Sequence, residues 1–152
     1  MTKVNLDKIQ ASGYGNIESV QSETVTLPNG VLISVAGLVT GEREIRVVEA
    51  PADDKELLLV ATSEVQHNVD TDNLDFEAPI GYVARAFHLT AGDMVQVEQS
   101  LFVATPAVGD IVTGDANYKY KVAAGTEVTQ FEVLALTKFG YDRRDMALLL
   151  KL

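Results

Sequence analysis

Residues 89–97 read LTAGDMVQV, and residues 108–114 read VGDIVTG. Each stretch sets a Gly-Asp pair directly before apolar residues rich in valine and isoleucine. Glycine supplies the positive φ of a tight turn, and an aspartate carboxylate accepts a bond from a nearby backbone N–H. The β-branched residues that follow suit a strand. Both stretches therefore predict hairpin corners that lead into strands.

The same grammar recurs on both sides of these corners. VLISV (31–35) follows LPNG (27–30), a turn signal built on Pro28 and Asn29-Gly30. EIRVVE (44–49) alternates at Ile45 and Val47 and breaks at Ala50–Asp54. ELLLVAT (56–62) is a continuous apolar run, suited to a strand buried on both faces. VARAFHL (83–89) sets Val83, Arg85, Phe87 and Leu89 on one face and Ala84, Ala86 and His88 on the other. FVATP, DIVTG, YKYKVA and QFEVLALT follow at short intervals. The closing MALLLKL (146–152) is apolar apart from Lys151 and demands burial, as a core strand closing a barrel or against another chain.

A helical period of three or four turns is nowhere convincing; VNLDKIQA (4–11) is the best candidate for a short helix. Many short strands between Gly, Pro and Asp turns predict a mainly β chain: a single compact β-barrel or β-sandwich with an N-terminal arm and at most short helices. Residues 1–24, with Gly13-Tyr14-Gly15-Asn16 and few periodic positions, read as an arm or outlying segment, and residues 25–152 as the β-rich domain.

The 152 residues suit one domain with a real core. No apolar run approaches the ~20 residues of a membrane-crossing helix, and the charged MTKVNLDKIQ start does not read as a signal peptide. Synthesis in a cytoplasm is the expectation. The chain has no cysteine, which removes disulfides, thiolate catalysis and cysteine-ligated zinc. Its net charge is −10, against the basic surface that phosphate contacts demand of a nucleic-acid binder. The charge is uneven: residues 42–77 hold 11 acids and 3 bases, whereas 119–152 hold 6 bases and 4 acids. This pattern reads either as a solvated acidic face or as a docking polarity toward a partner or a second copy.

The candidate chemistries fail individually. AGDMV has one glycine and leads into a strand, so it does not cradle a phosphate. A lipoyl-type carrier needs its lysine on a hairpin tip, and Lys119 and Lys121 alternate with Tyr118, Tyr120 and Val122 as strand residues would. VDTDNLDFE offers Asp70, Asp72, Asp75 and Glu77, but Leu74 and Asp75 occupy the fifth and sixth positions of a calcium loop. A solvated acidic loop is the plainer reading. His67 and His88 lack metal-binding spacing, and His88 on a strand reads as a hydrogen-bonded structural imidazole. No G-x-S-x-G elbow is present. No residue is nominated as catalytic, metal-binding or cofactor-binding, and no cofactor is expected.

Taken in order, LPNG, GLVTGERE, ELLLVATSEV, ARAFHLTAGDMVQV, TPAVGDIV and the apolar closing strand resemble the auxiliary, decoration (cement) or minor head proteins of tailed bacteriophages. The likeness covers roughly residues 27–115, with a weaker echo toward the C-terminus. It implies a non-enzymatic structural protein on the virion exterior, with the major capsid protein as partner. It also suggests homo-oligomers, a trimer by analogy, with no role for nucleic acid or membrane. Candidate capsid-contact residues are Leu6, Ile9 and Tyr14 in the arm, and Arg143 and Arg144 in YDRRD, where guanidinium groups can form bidentate bonds to carboxylates. The rival expectation is a small-ligand or carbohydrate-binding β module, for which Tyr118 and Tyr120 would share a strand face. A β-barrel enzyme ranks third.

Overall fold

In the computed structural model, which describes residues 17–62, 76–141 and 143–152, the alternation at 83–89 decides how the first half closes. Nearly everything described is strand or turn. The chain runs β1 (Ile17–Gln21), β2 (Leu27–Pro28), β3 (Leu32–Leu38), β4 (Ile45–Glu49), β5 (Leu58–Val60), β6 (Glu77–Ala78) and β7 (Val83–Phe87). Then come β8 (Met94–Glu98), a 3-10 turn at Gln99–Leu101, β9 (Ile111–Gly114), β10 (Tyr120–Val122), β11 (Phe131–Phe139) and β12 (Arg144–Lys151).

Five strands form a closed barrel in the order β1-β4-β3-β5-β7. Strand β1 closes it, lying parallel to β4 and antiparallel to β7. Ala84 and Ala86 are fully buried, while Val83 and Arg85 on the other face are exposed. Ala84 pairs with Val20, and Ala86 pairs with Val60. A barrel of about eight strands has an interior just wide enough for ordinary side chains, and diameter falls with strand number. Five strands therefore leave room for alanine where Phe87 would not fit. On β4 the inward positions are Arg46 and Val48; Ile45 and Val47, the alternating pair in the sequence, stay half-buried.

Strand β5 is buried on both faces, as its unbroken apolar run predicts. Leu58 and Val60 face the barrel interior opposite Ile33 and Ala86. Leu59, between Leu32 and Phe87, faces the second layer. Burying a side chain of this size stabilises by ~1.5–3 kcal/mol, so this short strand is a large part of the core.

The second layer is a five-stranded antiparallel sheet, β10-β9-β11-β12-β8. Val112, Phe131, Val133, Leu149, Ala147, Val95 and Val97 share its buried face through their cross-strand pairing. One apolar cluster runs unbroken from the barrel into this sheet. Gly114 marks the closest approach: a Cβ there would stand 2.7 Å from Leu57 Cδ1 and 3.0 Å from Pro51 Cβ. Residues 146–151 of the closing MALLLKL segment lie in β12, in this sheet between β11 and β8. It does not close the barrel, because its long hairpin with β11 holds it in the other layer.

The Gly-Asp corners share one geometry. Gly92 and Gly109 have φ of 97° and 90°. Asp93 Oδ2 accepts from the Thr90 N–H at 2.8 Å, and Asp110 Oδ2 accepts from the Ala107 N–H at 2.8 Å. Each glycine N–H then reaches the C-terminal hairpin, Gly92 to Lys151 O and Gly109 to Val133 O. They are corners, but not of hairpins. Strands β7 and β8 belong to different layers, and β9 pairs with β10 and β11.

Within the stretch read as an arm or outlying segment, residues 17–21 are β1, seated between β4 and β7. Residues 1–16 lie outside the described residues, and with them the short helix expected at 4–11. Residues 63–75 also lie outside, which covers His67 and most of the acidic loop; Glu77, at its end, is exposed in β6.

Candidate interaction surface

Strand β11 is nine residues long, but its pairing with β9 covers only Phe131 and Glu132. The backbone of Val133 still bonds to the Gly109-Asp110 corner. From Leu134 to Phe139, among the described residues, β11 pairs only with β12. Among the described residues its other edge meets no strand, which leaves a row of backbone donors and acceptors of the kind that templates strand addition.

Side chains along this edge have an interface character. The register shifts between Val133 and Ala135, a bulge that sets Leu134 outside the regular alternation. Leu134 and Leu136 are 36% and 44% exposed. Leu136 sits opposite buried Ala147, so the apolar face of the sheet continues past the barrel into solvent. Across the hairpin Lys138 pairs with Asp145, and Gln96 of β8 reaches Thr137.

The hairpin ends in a tight turn, in which Arg143 N–H donates to Gly140 O at 3.1 Å. Gly140 has φ of 78°, and Arg143 is held in the left-handed region at 54°. Tyr141 is fully exposed at the tip. Arg143 is exposed and Arg144, the first residue of β12, is half-buried opposite Phe139; Asp142 lies outside the described residues. The nominated arginines are thus two residues of one projecting tip, with Tyr141 and Leu136 beside them on the same hairpin. Tyrosine and arginine are enriched among residues that dominate binding energy. Neither the edge nor Leu136 was nominated from sequence. QFEVLALT signals a strand, but only the pairing partners reveal which edge stays open. Leu6, Ile9 and Tyr14 lie outside the described residues.

A second surface lies at the β10 edge of the sheet. A hollow of about 200 Å³ is lined by Phe102, Val103, Pro106, Val112, Tyr120 and Val122. The β9–β10 hairpin beside it differs from expectation. Tyr118, at φ of 60°, and Lys119 lie in the turn, with Asp115 N–H bonded to Lys119 O. Tyr120 is in β10 but buried, with its ring 4.9 Å from that of Phe102. The two tyrosines therefore form no exposed strand face, because the turn diverts one and the core takes the other. Burial also pushes the Tyr120 hydroxyl pKa far up.

A polar cluster occupies one end of the barrel. Glu18 of β1, Arg46 of β4 and His88, just after β7, occupy the inward-facing positions of their strands, and Glu56 joins them from just before β5. His88 Nε2 is 2.8 Å from Glu18 Oε1, and Nδ1 is 3.2 Å from Glu56 Oε1. Arg46 donates from Nε to Ala36 O at 2.8 Å and stands 3.4 Å from both Glu18 oxygens. Burial lowers the His88 pKa, but the bonds to Glu18 and Glu56 outweigh it and the net shift is upward. His88 is thus hydrogen-bonded on both nitrogens, as expected of a structural imidazole. Among the described residues no group of three or more His, Cys, Asp or Glu is arranged to hold a metal ion, and no helix is long and apolar enough to cross a membrane. Comparisons with protein-family models, with curated proteins and with solved structures each return no match.

Proposed function

We propose that this chain is a non-enzymatic structural protein of a tailed-phage head, made in the host cytoplasm, which binds the outer surface of the major capsid protein and bridges capsomers. The ordered segments from LPNG to TPAVGDIV support the phage reading by resemblance. The observation that carries the binding role is the open β11 edge with Leu134, Leu136 and the exposed Tyr141. An extended segment of the capsid protein adds to that edge, and the apolar side chains and arginines give it register. Many modest bridges acting together raise the free energy needed to separate capsomers, by mass action and avidity. Net negative charge is compatible with a protein outside the shell, away from packaged DNA.

Cosedimentation with expanded, empty phage shells tests this. The wild-type chain should pellet with shells to saturation, and Leu136→Asp should lose at least about tenfold in affinity, the effect of ~1.4 kcal/mol. Leu136 is half-exposed, so its variant should remain folded by circular dichroism. A wild-type chain that stays in the supernatant at every shell concentration would refute the capsid reading. Equal binding by Leu136→Asp would refute the assignment to the β11 edge.

A further inference from the structure

We propose that His88 is a proton-operated latch that holds β1 in the barrel. Donor counting fixes the protonation state that this cluster requires. Ionised carboxylates only accept hydrogen bonds, and a neutral imidazole has a single N–H. Yet both ring nitrogens of His88 face carboxylate oxygens, Glu18 at 2.8 Å and Glu56 at 3.2 Å. Only the imidazolium satisfies both. When it loses its proton, one nitrogen lone pair confronts a carboxylate, and the bond that survives on the other nitrogen no longer has a cationic donor.

The position of the cluster makes this matter. Strand β1 completes the barrel through five pairs with β7 and three with β4. Glu18 is the β1 residue that carries the tie to His88, and through Arg46 it is also tied to β4. Glu56 extends the tie to the start of β5. Among the described residues, the charged groups around His88 are Glu18 from β1, Arg46 from β4 and Glu56 before β5, with Lys151 of β12 coupled to Glu56 through its charge. Arg46 moderates the Glu18 charge and Lys151 that of Glu56, but neither supplies a proton between ring and carboxylate. The sign follows. A histidine raised by its partners stabilises the fold fully below the unfolded value, near ~6.5, and the contribution is lost as pH rises through the folded value. The seam is firm below the ordinary histidine value and loosens as pH rises through the raised folded value.

Two NMR measurements on the full chain test the latch: titration of the His88 ring, and protection of backbone amides from pH 5.5 to 8.5 after correction for intrinsic exchange. The ring should titrate above the ordinary histidine value. Protection of β1 amides should fall as pH passes that value, by about tenfold for each unit of the shift. Val133 in the second sheet should keep its protection. Glu56→Gln, an exposed change that leaves the neutral ring a compatible neighbour, should lower the His88 value and shrink the fall. A His88 value at or below the ordinary one, or β1 protection independent of pH, would overturn the latch. So would β1 and Val133 losing protection together, since the bolt would then hold the whole fold and not the seam. None of these outcomes depends on shell binding.

Discussion

The Tyr120 hydroxyl donates to the carbonyl oxygen of Gly30 at 2.8 Å, across 90 residues of chain and with both groups buried. This bond fastens the edge of the five-stranded sheet to the turn that leads into β3. Gly30 in turn gives its N–H to Val60 O at 2.7 Å, so one glycine links β10, β3 and β5. The tyrosine ring is enclosed by Phe102, stacked at 4.9 Å, and by Phe131, edge-on at 6.5 Å.

Tyr120→Phe keeps that packing and removes only the donor. It should lower stability by about 1–3 kcal/mol, the cost of a buried carbonyl left unpaired. Urea denaturation should show a lower midpoint with an unchanged slope. An unaltered midpoint would mean that Gly30 O finds another partner.

The matched Gly-Asp corners predict unmatched costs. Asp93 is buried and accepts from both the N–H and the hydroxyl of Thr90. Asp110 is half-buried, and its bond to Ala107 N–H lies near solvent. Asp93→Ala should cost about 1–2 kcal/mol and Asp110→Ala about 0.5–1 kcal/mol, because water can replace only the second carboxylate. Thermal unfolding of the two variants side by side checks the order, and a larger drop for Asp110→Ala would contradict it.

Glu127 predicts the acid limb of stability. The N–H of Ala124 foremost, then those of Gly125 and Thr126, hold its carboxyl below the ordinary range against the opposing effect of desolvation. A depressed folded value stabilises the fold above the unfolded value, near ~4.3, and the contribution is lost as pH falls through the folded value. Glu127→Gln should therefore flatten the loss of stability between about pH 5 and pH 3. Parallel acid titrations of wild type and variant, followed by circular dichroism, would expose the opposite result.

What the amino-acid order determined by itself is local: that the chain is strands, and where it turns. The Gly-Asp corners, the LPNG turn and the doubly buried LLLV run act through φ, short side-chain bonds and the period of two, none of which needs a distant partner. Tertiary structure decided which face of each strand turns inward. The alanines of VARAFHL go inside because a five-stranded barrel is narrow, although valine and phenylalanine are the more apolar face. It also decided that MALLLKL joins the second layer, since β11 holds it there by a hairpin whose pairing runs from Phe131 to Lys151. The cluster of Glu18, Arg46, Glu56 and His88 comes from four separate stretches, and only barrel closure brings them within hydrogen-bond reach. The open edge of β11 is likewise a matter of pairing, since a strand's sequence specifies its own period but not where its neighbour ends.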